Sequence, residues 1–310
     1  MGVVMSKSSR RAAPPLFVLC PPRSFSSVVC AMLGQHPQMY GFPELNLFLA
    51  DTIDGLLDAT AAHTSGGLIS GLLRALAQLD GGAQTSRAID DARSWLHARR
   101  RWSVRRIFDH LLQRVRPRVG VDKSPLTAVL PDALRRAHRC YPNARFLHLT
   151  RHPATALPSL AKHVVMDASG AEDHDRGLLE GRSALVWCAA HARILSFTEA
   201  LPAAQTMRLR GEDLLSRPDD FLPQIVRWLG LDAGRDAIEA MKRPERSPYA
   251  RPGPKNARLA NDPHFLDAPM LRPMEAPDDM GAVSGWGLDE RLAQLMQRMA
   301  TEMGYVVGNA

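Results

Sequence analysis

Short apolar runs alternate along the chain with longer segments in which apolar residues recur every three or four positions. The runs that predict buried strands are 16–20, 118–122, 144–150 and 206–210. The segments whose spacing predicts helices include 28–33, 131–139, 180–200 and 286–303. Because strands alternate with helices, the pattern predicts an α/β fold with a central parallel sheet flanked by helices.

Two long segments lack this alternation. Residues 45–116 keep helical spacing throughout and predict a helical insertion, whereas residues 243–285 are rich in proline and glycine and predict a lid-like loop. Residues 1–14 are polar and basic, which predicts a flexible tail. We therefore expect one domain over residues 15–310.

The chain is basic, and most of its positive charge comes from arginine. It has 310 residues, a formal net charge of +7 and 39 lysines and arginines, of which only Lys7, Lys123, Lys162, Lys242 and Lys255 are lysines. This balance favours partners that carry phosphate, sulfate or carboxylate groups.

Ten arginines lie between positions 87 and 118, with Trp95 and Trp102 among them. Arginine interleaved with aromatic residues is typical of surfaces that bind single-stranded nucleic acid, so a basic nucleic-acid-binding protein is one alternative. The solvated face of an amphipathic helix explains the run better, because no nucleic-acid-binding motif accompanies it. We therefore expect no nucleic-acid partner.

Cysteine and histidine spacing indicates neither a disulfide framework nor a metal site. The four cysteines include no C-x-x-C pair, and no apolar segment is long enough to span a bilayer. We expect a cytoplasmic protein that needs no metal and contacts no membrane. The oligomeric state is not predicted by any feature of the sequence.

A basic residue follows each of three predicted strands: Arg23, Lys123 and Arg151. In parallel sheets, ligands bind beyond the carboxyl ends of the strands, so these residues predict an anion-binding crevice. The first loop, 21–27, resembles a P-loop in its position between a strand and a helix, but the G-x-x-x-x-G-K-[ST] motif is absent. A P-loop-type nucleotide-dependent kinase is therefore a less favoured alternative.

Three motifs resemble the sulfotransferase family, and most closely its tyrosylprotein sulfotransferase branch. Residues 22–27 resemble the 5′-phosphosulfate loop, P-[RK]-S-G-T-T, with Phe25 in place of the glycine. Residues 146–159 resemble the 3′-phosphate motif. Residues 207–218 resemble a third family segment, in which Gly211 stands where tyrosine is common.

The resemblance implies transfer of a sulfuryl group from 3′-phosphoadenosine-5′-phosphosulfate (PAPS) to a hydroxyl acceptor, leaving adenosine 3′,5′-bisphosphate (PAP). It also implies a P-loop-like sulfotransferase fold and in-line transfer without a metal. The residues implied to bind the donor are Arg23, Ser24, Phe25, Ser26, Ser27, Arg151, Ser159 and Lys255.

The resemblance also suggests catalytic residues. Lys123 is expected to stabilise charge on the leaving oxygen, and Arg23 to act beside it. Two residues remain alternatives as the general base: Glu44, at the position of the glutamate in the tyrosylprotein branch, and His264 in the lid-like loop. The arginine-rich helices favour an acidic acceptor.

Overall fold

The computed structural model describes residues 13–61, 67–167 and 176–307. The strands in these ranges are β1 (Leu16–Leu19), β2 (Met39–Gly41), β3 (Val119–Asp122), β4 (Arg145–Thr150) and β5 (Thr206–Arg210). The α-helices are α1 (Ser26–Gly34), α2 (Ile53–Ala61), α3 (Ser70–Gly81), α4 (Ser86–His97), α5 (Val104–Val115), α6 (Pro125–Val129), α7 (Pro131–Cys140), α8 (Pro153–Asp167), α9 (Arg176–Glu199), α10 (Gly211–Ser216), α11 (Pro218–Trp228), α12 (Arg235–Met241), α13 (Pro263–Asp267) and α14 (Glu290–Glu302).

The strands form one parallel sheet in the order β2-β3-β1-β4-β5. β1 occupies the middle, where Phe17 pairs with Asp122 of β3 and Leu19 with His148 of β4. The predicted central parallel sheet flanked by helices is therefore confirmed. This order brings the carboxyl ends of β3, β1 and β4 side by side, at one edge of the sheet.

The strands predicted from the sequence do not include β2. β2 has three residues, too few for an alternating pattern to emerge, and it pairs with β3 through Met39 and Val119. A Cβ atom at Gly41 would lie 2.4 Å from the carbonyl oxygen of Cys30, so α1 packs directly on this strand. Glycine is therefore required at this contact.

Both faces of the sheet are buried, which explains why β1 reads as an unbroken apolar run. Phe17 and Leu19 point into a core shared with α3, α5 and α7, whereas Leu16 and Val18 point into a second core shared with α1, α11 and α12. Successive strand residues face opposite sides, so one short run supplies both cores. These two cores fix the direction in which the strand ends point.

The two segments outside the alternating pattern carry additional helices. The predicted insertion, 45–116, holds α2 to α5 between β2 and β3. The predicted lid-like loop, 243–285, holds α13 and three short 3₁₀-helices, Pro244–Arg246, Lys255–Ala257 and Gly281–Gly285. Most of the predicted tail lies outside the described residues, and the single domain over 15–310 stays a prediction.

Two histidines face each other beneath β4. His148 Nε2 lies 2.9 Å from His191 Nδ1 of α9, both rings are buried, and the His191 ring packs against Trp187. Burial lowers the pKa of His191 to about 3, and it also lowers the pKa of His148 well below the usual value. Both imidazoles are therefore neutral at physiological pH.

We expect replacement of His191 by glutamine to make stability less dependent on pH. In the unfolded chain an imidazole takes up a proton below pH 6.5, whereas the buried ring stays neutral to about pH 3. The folded state therefore loses stability as the pH falls below 6.5. By linkage, one such imidazole lowers the free energy of unfolding by about 1.4 kcal/mol at about pH 5.5. Urea unfolding at about pH 7.5 and about pH 5.5 measures how much the free energy of unfolding falls between the two pH values. This decrease should be smaller in His191→Gln than in the wild type by about the same amount.

The control is His97→Gln, because His97 is exposed at the end of α4. This variant should lose as much stability as the wild type between the two pH values. An identical loss in His191→Gln and wild type would contradict the assignment of a neutral buried imidazole.

Candidate active site

The loop between β1 and α1 has an unusual backbone conformation. Arg23 and Phe25 adopt positive φ angles of 67° and 61°, a region that costs side-chain-bearing residues roughly 1–2 kcal/mol each. The loop therefore follows a path typical of glycine, although Phe25 occupies the position. α1 begins directly afterwards at Ser26, so the free N–H groups of its first turn face the loop.

One hydroxyl in this loop is buried without a partner. The Ser24 side chain is fully buried, and its Oγ has no hydrogen-bond partner among the described residues. A buried hydroxyl left unpaired costs free energy unless a ligand or water satisfies it. Ser24 therefore fits an anion held by the loop.

Lys123 lies at the centre of a polar cluster at the carboxyl end of β3. Its Nζ donates hydrogen bonds to Glu44 Oε1 at 2.7 Å and to Ser27 Oγ at 2.9 Å. The lysine side chain has no exposed surface, whereas the Glu44 side chain is 30% exposed. The structure thus joins three residues predicted from separate parts of the sequence, and it leaves the carboxylate accessible.

Asp122 and Ser124 support the segment that carries Glu44. Ser124 Oγ donates to Asp122 Oδ1 at 3.0 Å and accepts a hydrogen bond from the Asn46 backbone N–H at 3.0 Å. Burial raises the pKa of Asp122 to about 7. These contacts fix the chain immediately after Glu44 to the end of β3.

Arg151 follows β4 and reaches across to the loop after β1. Its guanidinium donates to the Arg23 carbonyl oxygen at 2.7 Å and to Thr155 Oγ1 at 3.1 Å. Burial lowers its pKa to about 10, so Arg151 remains positively charged at neutral pH. Arg23 Nε in turn donates to Ser159 Oγ at 2.9 Å. The residues predicted for the two ends of the donor therefore form one connected site.

The turn that carries Arg151 is fixed by α10. The buried Glu212 carboxylate accepts hydrogen bonds from the His152 backbone N–H at 2.8 Å and from the Tyr305 hydroxyl at 2.9 Å. The Tyr305 oxygen also lies 2.8 Å from Thr150 Oγ1 at the end of β4. Glu212 belongs to the third family-like motif, and its role here is to position the arginine turn.

Asp262 is a site residue that the sequence reading did not single out. Its carboxylate forms an ion pair with Arg23 and accepts the His264 backbone N–H at 2.8 Å. Its own N–H donates to Ser27 Oγ at 2.9 Å. The Asp-Pro sequence at the start of α13 is a typical helix-start signal and could have marked it. The lid-like segment is thus attached to the donor loop.

The other two predicted site residues, His264 and Lys255, are exposed. His264 is exposed in the first turn of α13, two residues beyond Asp262. Lys255 is exposed in the 3₁₀-helix Lys255–Ala257, where the neighbouring Asn256 side chain donates to Ser86 and Asp90 of α4. The structure therefore groups Lys255 with the helical insertion.

The tryptophans of the arginine-rich face are covered by arginine. The Arg99 guanidinium lies 4.0 Å from the ring centre of Trp95, and that of Arg106 lies 3.6 Å from the ring centre of Trp102. Nucleic-acid bases stack on such ring faces, which these arginines occupy. The arrangement supports the interpretation as a solvated face.

Within the described ranges, no helix combines the length and apolar character needed to cross a bilayer. Among the same residues, no three or more His, Cys, Asp or Glu side chains cluster closely enough to hold a metal ion. Burial raises the pKa of Cys20 and of Cys30 to about 12, so neither thiol is a nucleophile near neutral pH.

The sheet order defines an α/β protein in which a P-loop-like loop joins the central strand β1 to α1. The chain belongs to the Sulfotransferase family, whose model matches residues 14–235. It is therefore a sulfotransferase, an enzyme that transfers sulfuryl groups. A comparison of the sequence with the curated proteins finds no match.

Solved structures with a similar fold are also sulfotransferases. The sulfotransferase domain from the curacin biosynthetic pathway has a TM-score of 0.73 and 22% identity, over 96% of this chain and 100% of that one. The domain from the Synechococcus PCC 7002 olefin synthase has a TM-score of 0.71 and 24% identity, over 94% and 95%. Sulfotransferase STF9 from Mycobacterium avium has a TM-score of 0.58 and 15% identity, over 97% and 80%. These similarities show a shared fold.

We expect the Asp262→Asn variant to bind PAP more tightly than the wild type. The Asp262 carboxylate is paired with Arg23, so an incoming anion competes with it and is repelled by its charge. Asparagine removes the charge and is also a good helix N-cap. Titration calorimetry should show affinity higher by about fivefold, or about 1 kcal/mol.

The control is Asp267→Asn, which removes the same charge from the exposed end of α13. This variant should bind PAP as the wild type does. Weaker binding by Asp262→Asn would contradict competition at Arg23 and would show that Asp262 instead holds the loop in its binding shape.

Proposed function

We propose that this sulfotransferase moves a sulfuryl group from PAPS to a hydroxyl acceptor by in-line displacement, with its donor site at the carboxyl ends of β1, β3 and β4. The observation that carries the proposal is the meeting of Arg23, Lys123 and Arg151 beyond three adjacent strands. Three cations from distant parts of the chain, joined through the Arg23 carbonyl, Asp262 and Ser27, match a ligand with several anionic groups.

The residues at this edge fit the donor. Arg23, Ser24, Ser26 and Ser27 would hold its 5′-phosphosulfate, together with the N–H groups at the start of α1. Arg151 and Ser159 would hold the 3′-phosphate. Because Arg23 is hydrogen-bonded to Ser159, one hydrogen-bonded network would contact both ends of the donor.

Lys123 would stabilise the transition state. PAPS, when bound, supplies the sulfuryl group and a leaving bridging oxygen on which negative charge develops. A lysine with no exposed surface acts in a medium of low dielectric constant, where its charge is worth more than in water. Its hydrogen bond to Ser27 places it beside the donor loop.

Glu44 is the general base that the geometry favours. Its carboxylate forms a hydrogen-bonded ion pair with Lys123 and is also partly exposed, so an acceptor hydroxyl could approach it. The exposed His264 lies on the segment attached to Arg23 and remains the alternative. The Glu44 and Lys123 pair also supports a relationship to the tyrosylprotein branch.

The arginines of the insertion bear on the acceptor, and the cysteines bear on the location of the protein. The arginines of the insertion favour an acidic acceptor, since the insertion borders the Glu44 segment: a Cβ atom at Gly71 of α3 would clash with the Glu44 backbone. All four cysteines are free thiols, as expected in a reducing, cytoplasmic location.

Calorimetry with PAP should separate the roles of two cations. Arg151→Ala should weaken PAP binding by at least about tenfold, because it removes a charge-assisted contact with phosphate. Lys123→Met should bind PAP within about threefold of wild type, because its charge is needed mainly in the transition state. Wild-type protein that binds no PAP would refute the proposed function.

The pH dependence of kcat/KM should distinguish the two candidate bases. The acceptor for this assay is a hydroxyl compound identified by screening candidate acceptors with labelled PAPS as the donor. Glu44→Gln should slow transfer by about 100-fold or more, because it removes proton transfer from the acceptor. His264→Asn should keep the wild-type pH profile and stay within about threefold of its rate. The opposite pattern would assign the base to His264.

A further inference from the structure

The Phe25 ring lies between the start of α10 and the guanidinium of Arg151. Arg151 Cζ lies 4.3 Å from the centre of the ring, within the range of a cation–π interaction. The ring keeps this place although Phe25 must adopt a left-handed backbone angle, φ 61°. A bulky residue in a strained conformation at a ligand loop points to a functional role.

The ring also packs on Gly211. A Cβ atom at Gly211 would lie 2.5 Å from Phe25 Cδ2 and 3.1 Å from the Thr150 carbonyl oxygen. Real Cβ atoms do not come within 2.5 Å of another atom, so the ring would have to shift, whereas the 3.1 Å approach to Thr150 is tight but needs a shift of only a few tenths of an ångström. A side chain at position 211 would therefore displace the Phe25 ring from its present place.

These two positions are also the two departures from the family-like motifs. Phe25 replaces a glycine in the donor loop, and Gly211 replaces a tyrosine at the start of α10. We infer that the two departures are one exchange: the aromatic ring has moved from α10 to the donor loop, where it positions Arg151 for the 3′-phosphate of the donor.

Phe25 acts on the ligand through the arginine. Arg151 is partly buried, and its hydrogen bonds go to neutral oxygens, the Arg23 carbonyl and Thr155 Oγ1. The electron-rich face of Phe25 supports the cation from a third direction and limits its rotation. A guanidinium held in one orientation binds phosphate with less loss of entropy. Phe25 is thus a positioning residue for selectivity towards the 3′-phosphate.

The inference rests on the proposed donor site, and its test uses a ratio of two affinities. Calorimetry would give the dissociation constants of PAP and of adenosine 5′-phosphate, which lacks the 3′-phosphate, for the full chain. Their ratio measures selectivity for the 3′-phosphate, which a general loss of loop structure would not change in the same way. The wild type is expected to prefer PAP.

Two single variants distinguish the effect of the aromatic ring from the effect of apolar side-chain size. Phe25→Tyr keeps an aromatic face and should keep the wild-type ratio. Phe25→Leu keeps apolar bulk at the same backbone angle but has no ring, and it should lower the ratio by about tenfold, mainly through weaker PAP binding. An unchanged ratio in Phe25→Leu would overturn the inference.

A double variant tests the exchange itself. Gly211→Tyr alone should lose PAP binding or fail to fold, because its side chain meets Phe25. Phe25→Gly with Gly211→Tyr should fold and recover the ratio to within about threefold of wild type. Equal thermal stability of the Gly211→Tyr single variant and of the double variant would overturn the exchange.

The outcomes separate this inference from the function on which it rests. Wild-type protein that binds neither nucleotide would refute the donor site itself. Wild-type protein that binds PAP selectively, together with a Phe25→Leu variant of equal selectivity, would refute only the role of Phe25.

Discussion

The site depends on the ion pair between one buried lysine and a partly exposed carboxylate. Lys123 has no exposed surface, and an isolated buried ammonium group costs several kcal/mol. The protein offsets this cost with the Glu44 carboxylate and the Ser27 hydroxyl, which come from different elements. The ion pair therefore fixes β3, the start of α1 and the segment after β2 relative to one another. The same low dielectric makes the lysine effective towards a developing negative charge.

The donor loop shows how a site is assembled from strained and unsatisfied groups. Arg23 and Phe25 adopt left-handed angles, and the buried Ser24 hydroxyl has no partner among the described residues. Strain and unmet hydrogen bonds persist where the surrounding packing is strong, and they are typical of ligand-binding loops. Here the two sheet cores, the Arg151 contacts and the Asp262 ion pair hold the loop in place.

The sequence was sufficient to predict the parallel sheet and the basic residues at its edge, because Arg23, Lys123 and Arg151 each follow a predicted strand within three residues. The three-residue β2 was missed, since so short a strand leaves no periodicity. The pattern of apolar residues also could not predict contacts between segments that are far apart in the sequence. Asp262 meets Arg23 across more than 200 residues, and Phe25 meets Gly211 across a similar distance. No local spacing encodes such pairs.

The central claim is that Lys123 promotes sulfuryl transfer from PAPS without being needed to bind the donor. Single-turnover transfer of label from PAPS to a hydroxyl acceptor, measured at saturating donor, tests it most directly. The account predicts transfer by the wild type and a rate lower by about 100-fold or more in Lys123→Met. Transfer by Lys123→Met at the wild-type rate would contradict it.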